Sequence, residues 1–360
     1  MKKVSFITVH VGSNFGSVLQ AIATSHLLKS IGYSAELINY IPERVSFRYY
    51  MKGALYNVKR FVWRLFNLPI FFINRKIYED FLKKNCKVSS PIYSKDDFSS
   101  KCPKADVYLT GSDQVWNSKH NQGIDIHYYF GGVEGTKIAY ASSFGTIMLL
   151  DEEHEQVKSL LNDYKAISVR EKSALNILKT MGYEAIQVLD PTFMLDKNKW
   201  KSFMSKRLVK EPYILMYLPY NIVDKSIIYK TARKIGHKYN LKVITFSWNY
   251  FIDIYADRTM RFCNPGDFLS LMYYAEYIIT NSFHGTAFSI NLNKQFWVYM
   301  PSIFGTRIKS IVDLCGLNNR MLENEIDDSL IEEKIDYEPV NLILERERQI
   351  AIDYLKKTIG

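Results

Sequence analysis

The chain has 360 residues, 47% of them apolar and 23% charged, which is long for a single hydrophobic core and too apolar for a disordered or fibrous protein. Its formal net charge of +10 is concentrated: residues 44–84 hold ten Lys or Arg against Glu79 and Asp80, or 10 − 2 = +8, and the remainder is nearly neutral. That distribution, without a zinc-finger, RRM or helix-turn-helix signature, argues against nucleic acid as a partner.

The N-terminus turns polar at Ser13-Asn14 before an apolar run long enough for a signal peptide. No stretch reaches the roughly 18 to 20 uninterrupted apolar residues of a membrane-spanning helix. A cytoplasmic protein is expected. The four cysteines, Cys86, Cys102, Cys263 and Cys315, fit neither a zinc knuckle nor a disulfide framework and read as free buried thiols.

In chain order, residues 4–11 read as a β-branched apolar strand and 12–16 as a glycine loop. The spacing of Val18, Leu19, Ile22, Ala23, Leu27 and Ile31 predicts a helix that Gly32 stops. Residues 35–40 read as the next strand, so the chain opens βαβ and a parallel sheet is expected. Further strands are expected at 105–110, 137–141, 166–169 and 186–189, with a helix over 171–181 ended by Gly182. A second series has strands at 213–218, 242–246 and 277–280, helices over 225–239 and 266–274, and a helix opening at His284-Gly285. Residues 340–357 form an amphipathic helix after the acidic run 323–333.

The polar stretch 196–211 is the expected junction. The expected domains are 1–205, with a basic aromatic helical insertion at about 44–90, then 206–335, then a C-terminal helix over 336–360 able to pack back on the first domain. The fold class is α/β: two Rossmann-like domains facing across a cleft, where the working site is expected.

Several strand ends carry candidate chemistry. Gly12-Ser13-Asn14-Phe15-Gly16-Ser17 stands where a Rossmann fold sets its phosphate loop, although it is not GxGxxG; a tight turn with Asn14 or Ser17 capping the helix is the plain alternative. In 111–117, Asp113 suits a base for a hydroxyl, and Gln114 and Asn117 suit orienting a sugar, against an Asx-type turn with Trp116 packed inward. Arg170 suits a fork onto carboxylate or phosphate, against an ion pair with Glu171 or Asp190. Asp190-Pro191-Thr192 is equally a turn or hinge.

The sharpest cluster is 281–289. It combines the imidazole of His284, Gly285 for close backbone approach, and the hydroxyls of Ser282 and Thr286 at the positive end of a helix dipole. Such parts bind and protonate an anion.

Six blocks in order, residues 12–20, 111–117, Ala139-Tyr140-Ala141-Ser142-Ser143-Phe144-Gly145, Ser168-Val169-Arg170-Glu171, Leu189-Asp190-Pro191-Thr192 and Ser282-Phe283-His284-Gly285-Thr286, resemble the polysaccharide pyruvyl transferase family over nearly the whole chain. The resemblance implies a GT-B-like pair of Rossmann domains. It implies transfer of the enolpyruvyl unit of phosphoenolpyruvate onto two hydroxyls of a sugar, in a surface or capsular polysaccharide or its lipid-linked precursor, giving a pyruvate ketal and phosphate. The donor is then phosphoenolpyruvate and the partner a saccharide acceptor, with no cofactor or metal required.

His284 and Arg170 match the family's donor-site histidine and arginine. In that chemistry His284 is the expected acid, Arg170 the anion clamp and Asp113 the base. Gly12, Ser13, Asn14, Gly16, Ser282, Gly285, Thr286 and Arg307 are expected donor or phosphate contacts, and Gln114, Trp116 and Asn117 acceptor contacts. Family members often carry an arginine where Ser282 stands, for which Arg261, Arg307 and Arg320 are candidate replacements. Two other readings stay open: a nucleotide-sugar-dependent glycosyltransferase of the same architecture, and a non-catalytic sugar-binding relative.

Residues 44–84 interleave Tyr49, Tyr50, Tyr56, Phe61, Trp63, Phe66, Phe71 and Phe72 with Arg and Lys. A helical hairpin packing these aromatics on the first domain is expected. Peripheral contact with the anionic inner surface of a membrane is the alternative.

Overall fold

A computed structural model describes residues 1–52, 57–94, 96–220, 225–301 and 305–360; Tyr56 of the basic aromatic segment lies outside the described residues. The chain divides into two compact units, Met1–Met194 with Glu347–Gly360, and Leu195–Arg346.

The first unit runs β1 (Lys3–Ile7), α1 (Phe15–Ser30), β2 (Ser34–Leu37), β3 (Tyr40–Ile41), α2 (Phe47–Lys52), α3 (Val58–Phe66), α4 (Leu68–Asn85), β4 (Ile92–Tyr93) and α5 (Phe98–Lys101). It continues with β5 (Val107–Thr110), α6 (Ser118–Asn121), β6 (Thr136–Ser142), α7 (Asp151–Leu161), β7 (Tyr164–Val169), α8 (Lys172–Thr180) and β8 (Ile186–Gln187). Six strands form a parallel sheet in the order β2-β1-β5-β6-β7-β8, and β3 and β4 make a separate parallel pair. The central strands β1, β5 and β6 are apolar and buried nearly throughout, as a sheet covered on both faces requires.

The chain leaves β1 for β2 on one side and later occupies the other side with β5. At such a switch point the loops after the two strands diverge and open a crevice beyond their carboxyl ends. The first strand is shorter than its apolar run: after Ile7 the chain leaves the sheet, and side chains take over its backbone partners. Thr8 Oγ1 donates to Ser112 O (2.7 Å) and Gln20 Nε2 donates to Val9 O (3.0 Å).

The basic aromatic segment divides in its packing. α4 buries Ile70, Asn74, Tyr78 and Leu82, and Tyr78 stacks on Phe15 of α1 at 5.2 Å. α2 and α3 bury nothing.

The second unit runs α9 (Lys197–Lys201), β9 (Tyr213–Tyr217), α10 (Lys225–Tyr239), β10 (Lys242–Ser247), β11 (Arg258–Arg261), α11 (Pro265–Tyr274) and β12 (Tyr277–Thr280). Then come α12 (Phe283–Asn291), β13 (Gln295–Tyr299), α13 (Thr306–Leu314), β14 (Met321–Leu322), α14 (Asp328–Glu332) and α15 (Glu338–Ile359). Its sheet is also parallel and six-stranded, in the order β11-β10-β9-β12-β13-β14, with its switch point between β9 and β12.

The polar stretch after Leu195 belongs to this unit's body: Asp196 caps α9, and the fully buried Trp200 meets Phe288 edge-on at 5.0 Å. The chain crosses between units at Met194–Leu195, not within 196–211. α15 starts in the second unit and ends in the first, where Tyr354 Oη donates to Ala139 O (2.7 Å) and Lys165 Nζ to Thr358 O (2.8 Å). Among the described residues no helix is long and apolar enough to cross a membrane, and all four cysteines are buried thiols.

Candidate active site

The first unit gathers its polar residues where β1, β5, β7 and β8 end. Gly12 holds φ at +119°, a conformation glycine enters without strain, and this turns the chain into α1. Asn14 caps that helix by accepting from Ser17 N (3.2 Å), so the capping alternative for this loop is the geometry present. Ser13 and Gly16 flank the cap, and Ser17 Oγ reaches across the switch point to donate to Asp113 Oδ2 (2.6 Å).

Asp113 follows β5 with φ at +70°, which costs a non-glycine residue on the order of 1 kcal/mol or more and is held by its surroundings. Its Oδ1 accepts from Gln114 N (2.9 Å) and from the Arg170 guanidinium (3.2 Å). Arg170 also donates to Asp190 Oδ2 (2.8 Å), and its Nε faces Glu171 Oε2 at 3.7 Å. Ser112 Oγ donates to Asp190 (2.7 Å), and Ser143 Oγ to Glu171 (2.8 Å). Burial disfavours the Arg170 charge, but the carboxylates of Asp190, Asp113 and Glu171 outweigh it and hold the guanidinium above its ordinary pKa. The ion-pair alternative for Arg170 is therefore the geometry found. Two carboxylates accept hydrogen bonds from it and the third stands at ion-pair distance, an arrangement that orients Asp113.

Gln114, Trp116 and Asn117 turn inward. Asn117 Nδ2 donates to Gln114 Oε1 (2.5 Å), Asn117 Oδ1 caps α6 through His120 N (3.0 Å), and Trp116 stacks on Tyr129 at 5.5 Å. All three are buried. In the same unit His10 places Nδ1 2.9 Å from Thr8 O and Nε2 3.2 Å from Asn39 Oδ1. Its burial pushes the imidazole below the ordinary value of 6.5 against those two hydrogen bonds.

At the switch point of the second unit the loops after β9 and β12 are tied together: Asn281 Nδ2 donates to Tyr220 O (2.7 Å) and Tyr220 N donates back to Asn281 Oδ1 (3.4 Å). Ser282 caps α12 by accepting from Gly285 N (3.3 Å), and Thr286 Oγ1 donates to Ser282 O (2.9 Å). The serine has a local reason for standing where an arginine is common: its short hydroxyl closes the first helical turn. Gly285 packs tightly, since a Cβ there would overlap Thr280 Oγ1 and come within 3.0 Å of Tyr217 Cδ1. His284 is buried, its ring edge-on to Phe283 at 5.2 Å.

Arg307 of α13, also buried, sets its guanidinium 5.7 Å over the Phe283 ring. Arg261 instead donates to Tyr250 O (3.2 Å), while Arg320 covers Trp297 and donates to Glu333 O (2.8 Å). Of the three candidate replacements, Arg307 is the one against the histidine turn. Reading by sequence missed the parts that seat this turn, Thr280, Tyr217 and the Asn281–Tyr220 tie; the signal available was a threonine and an asparagine closing an apolar strand. Among the described residues no group of three or more His, Cys, Asp or Glu is placed to hold a metal ion.

Two doubly wound α/β units with polar switch points define the GT-B-like class of fold, and solved structures agree. S. aureus MnaA, solved with UDP, shares 11% identity over 98% of this chain and 91% of its own (TM-score 0.52). A Listeria monocytogenes protein assigned as a UDP-N-acetylglucosamine 2-epimerase shares 10% over 99% and 94% (TM-score 0.52). No curated protein sequence gives a significant match. Within that class the chain belongs to the polysaccharide pyruvyl transferase family, whose model matches residues 14–302, and it is a transferase.

Proposed function

We propose that this transferase moves the enolpyruvyl unit of phosphoenolpyruvate onto two hydroxyls of a saccharide and releases phosphate. The observation that carries the reading is the turn Ser282–Thr286 at a sheet switch point, where His284, a helix N-terminus and the Arg307 guanidinium meet.

In this reading the donor's carboxylate and phosphate are taken by Arg307 and the first N–H groups of α12. His284 protonates the methylene carbon of phosphoenolpyruvate, which becomes a methyl group as positive charge develops at C2. One sugar hydroxyl bonds to C2, giving its proton to the imidazole of His284, which protonating the carbon has left neutral. The C2–O bond to phosphate breaks, the second hydroxyl bonds to C2, and its proton leaves with phosphate. Of the two hydroxyl protons, one replaces that spent by His284 and the other ends on phosphate. Arg170, Asp190 and Ser17 position Asp113, and Gln114, Trp116 and Asn117 shape the turn that carries it.

The test is phosphate release from phosphoenolpyruvate by the purified protein, offered synthetic and lipid-linked saccharides, with His284→Ala alongside. Acceptor-dependent release that the substitution abolishes is expected. Binding of a nucleoside diphosphate in calorimetry, with no release across the panel, would overturn the reading in favour of a glycosyltransferase.

A further inference from the structure

α3 is built the wrong way round for a helix on a globular protein. On a helical wheel Phe61, Leu65, Val58, Val62 and Phe66 fall on one arc, with Arg60 and Arg64 opposite. An ordinary surface helix buries the first arc. Here Val58, Val62, Leu65 and Phe66 are 79%, 58%, 45% and 66% exposed, and the half-exposed Trp63 lies beyond Lys59 toward the polar side. On the polar side Arg64 donates to Tyr50 O of α2 and sets its guanidinium 5.2 Å over the Tyr50 ring, while Lys59 and Arg60 are exposed. The exposure continues into α4 with Phe72 and Ile73, while the opposite face of α4 anchors the segment on α1.

Charge decides what covers this face. From Arg44 to Tyr78 the chain carries eight Lys or Arg and no Asp or Glu. A two-fold contact with a second copy would bring two such segments together and repel. An anionic lipid surface supplies both missing partners, acidic headgroups for the basic residues and an acyl boundary for the apolar arc.

We propose that α2, α3 and the outer face of α4 form a docking surface for an anionic bilayer, with α3 lying in the interfacial plane. α4 borders the Gly12 turn, where a small cavity is lined by His10, Gly12, Arg75 and Tyr78. Docking therefore brings the lipid surface up to the side of the first unit that holds this turn. The inference is independent of the reaction, because vesicle binding is read without turnover.

The experiment is co-sedimentation of the full chain with vesicles of phosphatidylcholine alone or with phosphatidylglycerol added. Binding only to the anionic vesicles, weakened by salt, is expected. The double variant Val62→Ser/Phe66→Ser lowers the partition constant by about tenfold or more with an unchanged melting temperature, because both side chains are exposed. Lys59→Glu/Arg60→Glu gives a loss of about tenfold or more at low salt. Absence of binding to either vesicle, or equal binding by the double variant, overturns the proposal. So does a lipid-free dimer in sedimentation velocity that Val62→Ser/Phe66→Ser dissolves, which would assign the face to a second copy.

Discussion

The switch point of the first sheet encloses one guanidinium among three carboxylates, while that of the second is furnished with hydroxyls, an imidazole and a helix N-terminus, with its cation over an aromatic ring. The topology is shared and the chemistry is not. In the first the cation is paired with the chain's own carboxylates, and Asp113, one of them, holds a left-handed conformation. In the proposed reaction the second arrangement offers N–H groups and a cation to the donor's anionic groups. The same topology thus carries an ion cluster in one unit and a capped helix N-terminus in the other.

Substituting the centre of each arrangement separates the two most sharply. Arg170→Met leaves Asp113, Asp190 and Glu171 buried without their cation, at a cost of about 3–5 kcal/mol, read as a fall of roughly 6 to 20 °C in melting temperature. Asp190→Asn on that background recovers part of the loss. His284→Ala lowers turnover by about 10²- to 10⁴-fold, with melting shifted by less than about 4 °C. If His284→Ala unfolds the protein as Arg170→Met does, the contrast fails.

Smaller effects follow from packing and capping. Gly285→Ala drives a methyl group into Thr280 and Tyr217 and costs about 1–3 kcal/mol in denaturant unfolding. Ser282→Ala removes the α12 cap for about 0.5–2 kcal/mol, and a fall in phosphoenolpyruvate affinity beyond that cost would show that the hydroxyl also touches the donor. The smallest effect belongs to His10. Its folded pKa lies below 6.5, so the native state binds fewer protons than the unfolded chain, and stability present at neutral pH declines as pH drops through about 6.5. His10→Gln flattens that acid limb in a melting-temperature profile.

Much of this was legible in the sequence because parallel strands write themselves as apolar runs ended by polar turns; β5, β7, β9, β10 and β12 lie close to where their runs stand. β11 was not, since Arg258 and Arg261 are exposed at a sheet edge and interrupt any run. Asp113, Arg170 and Asp190 were each legible as residues, but their pairing was not: 57 and 20 positions separate Arg170 from its two partners, and only the strand order brings them together. Trp116 looked available to a sugar because its neighbours are polar, yet those neighbours bond to one another and the ring goes to the core.

The last helix has a consequence for how the protein comes into being. Lys2, near the start of the chain, donates to Ile359 O, and Tyr354 closes over Ala139 of a strand made more than two hundred residues earlier. During synthesis the first sheet emerges from the ribosome long before the helix that packs on it. A stop codon or protease cut that removes the final turns strikes the unit translated first, and leaves the one translated later whole.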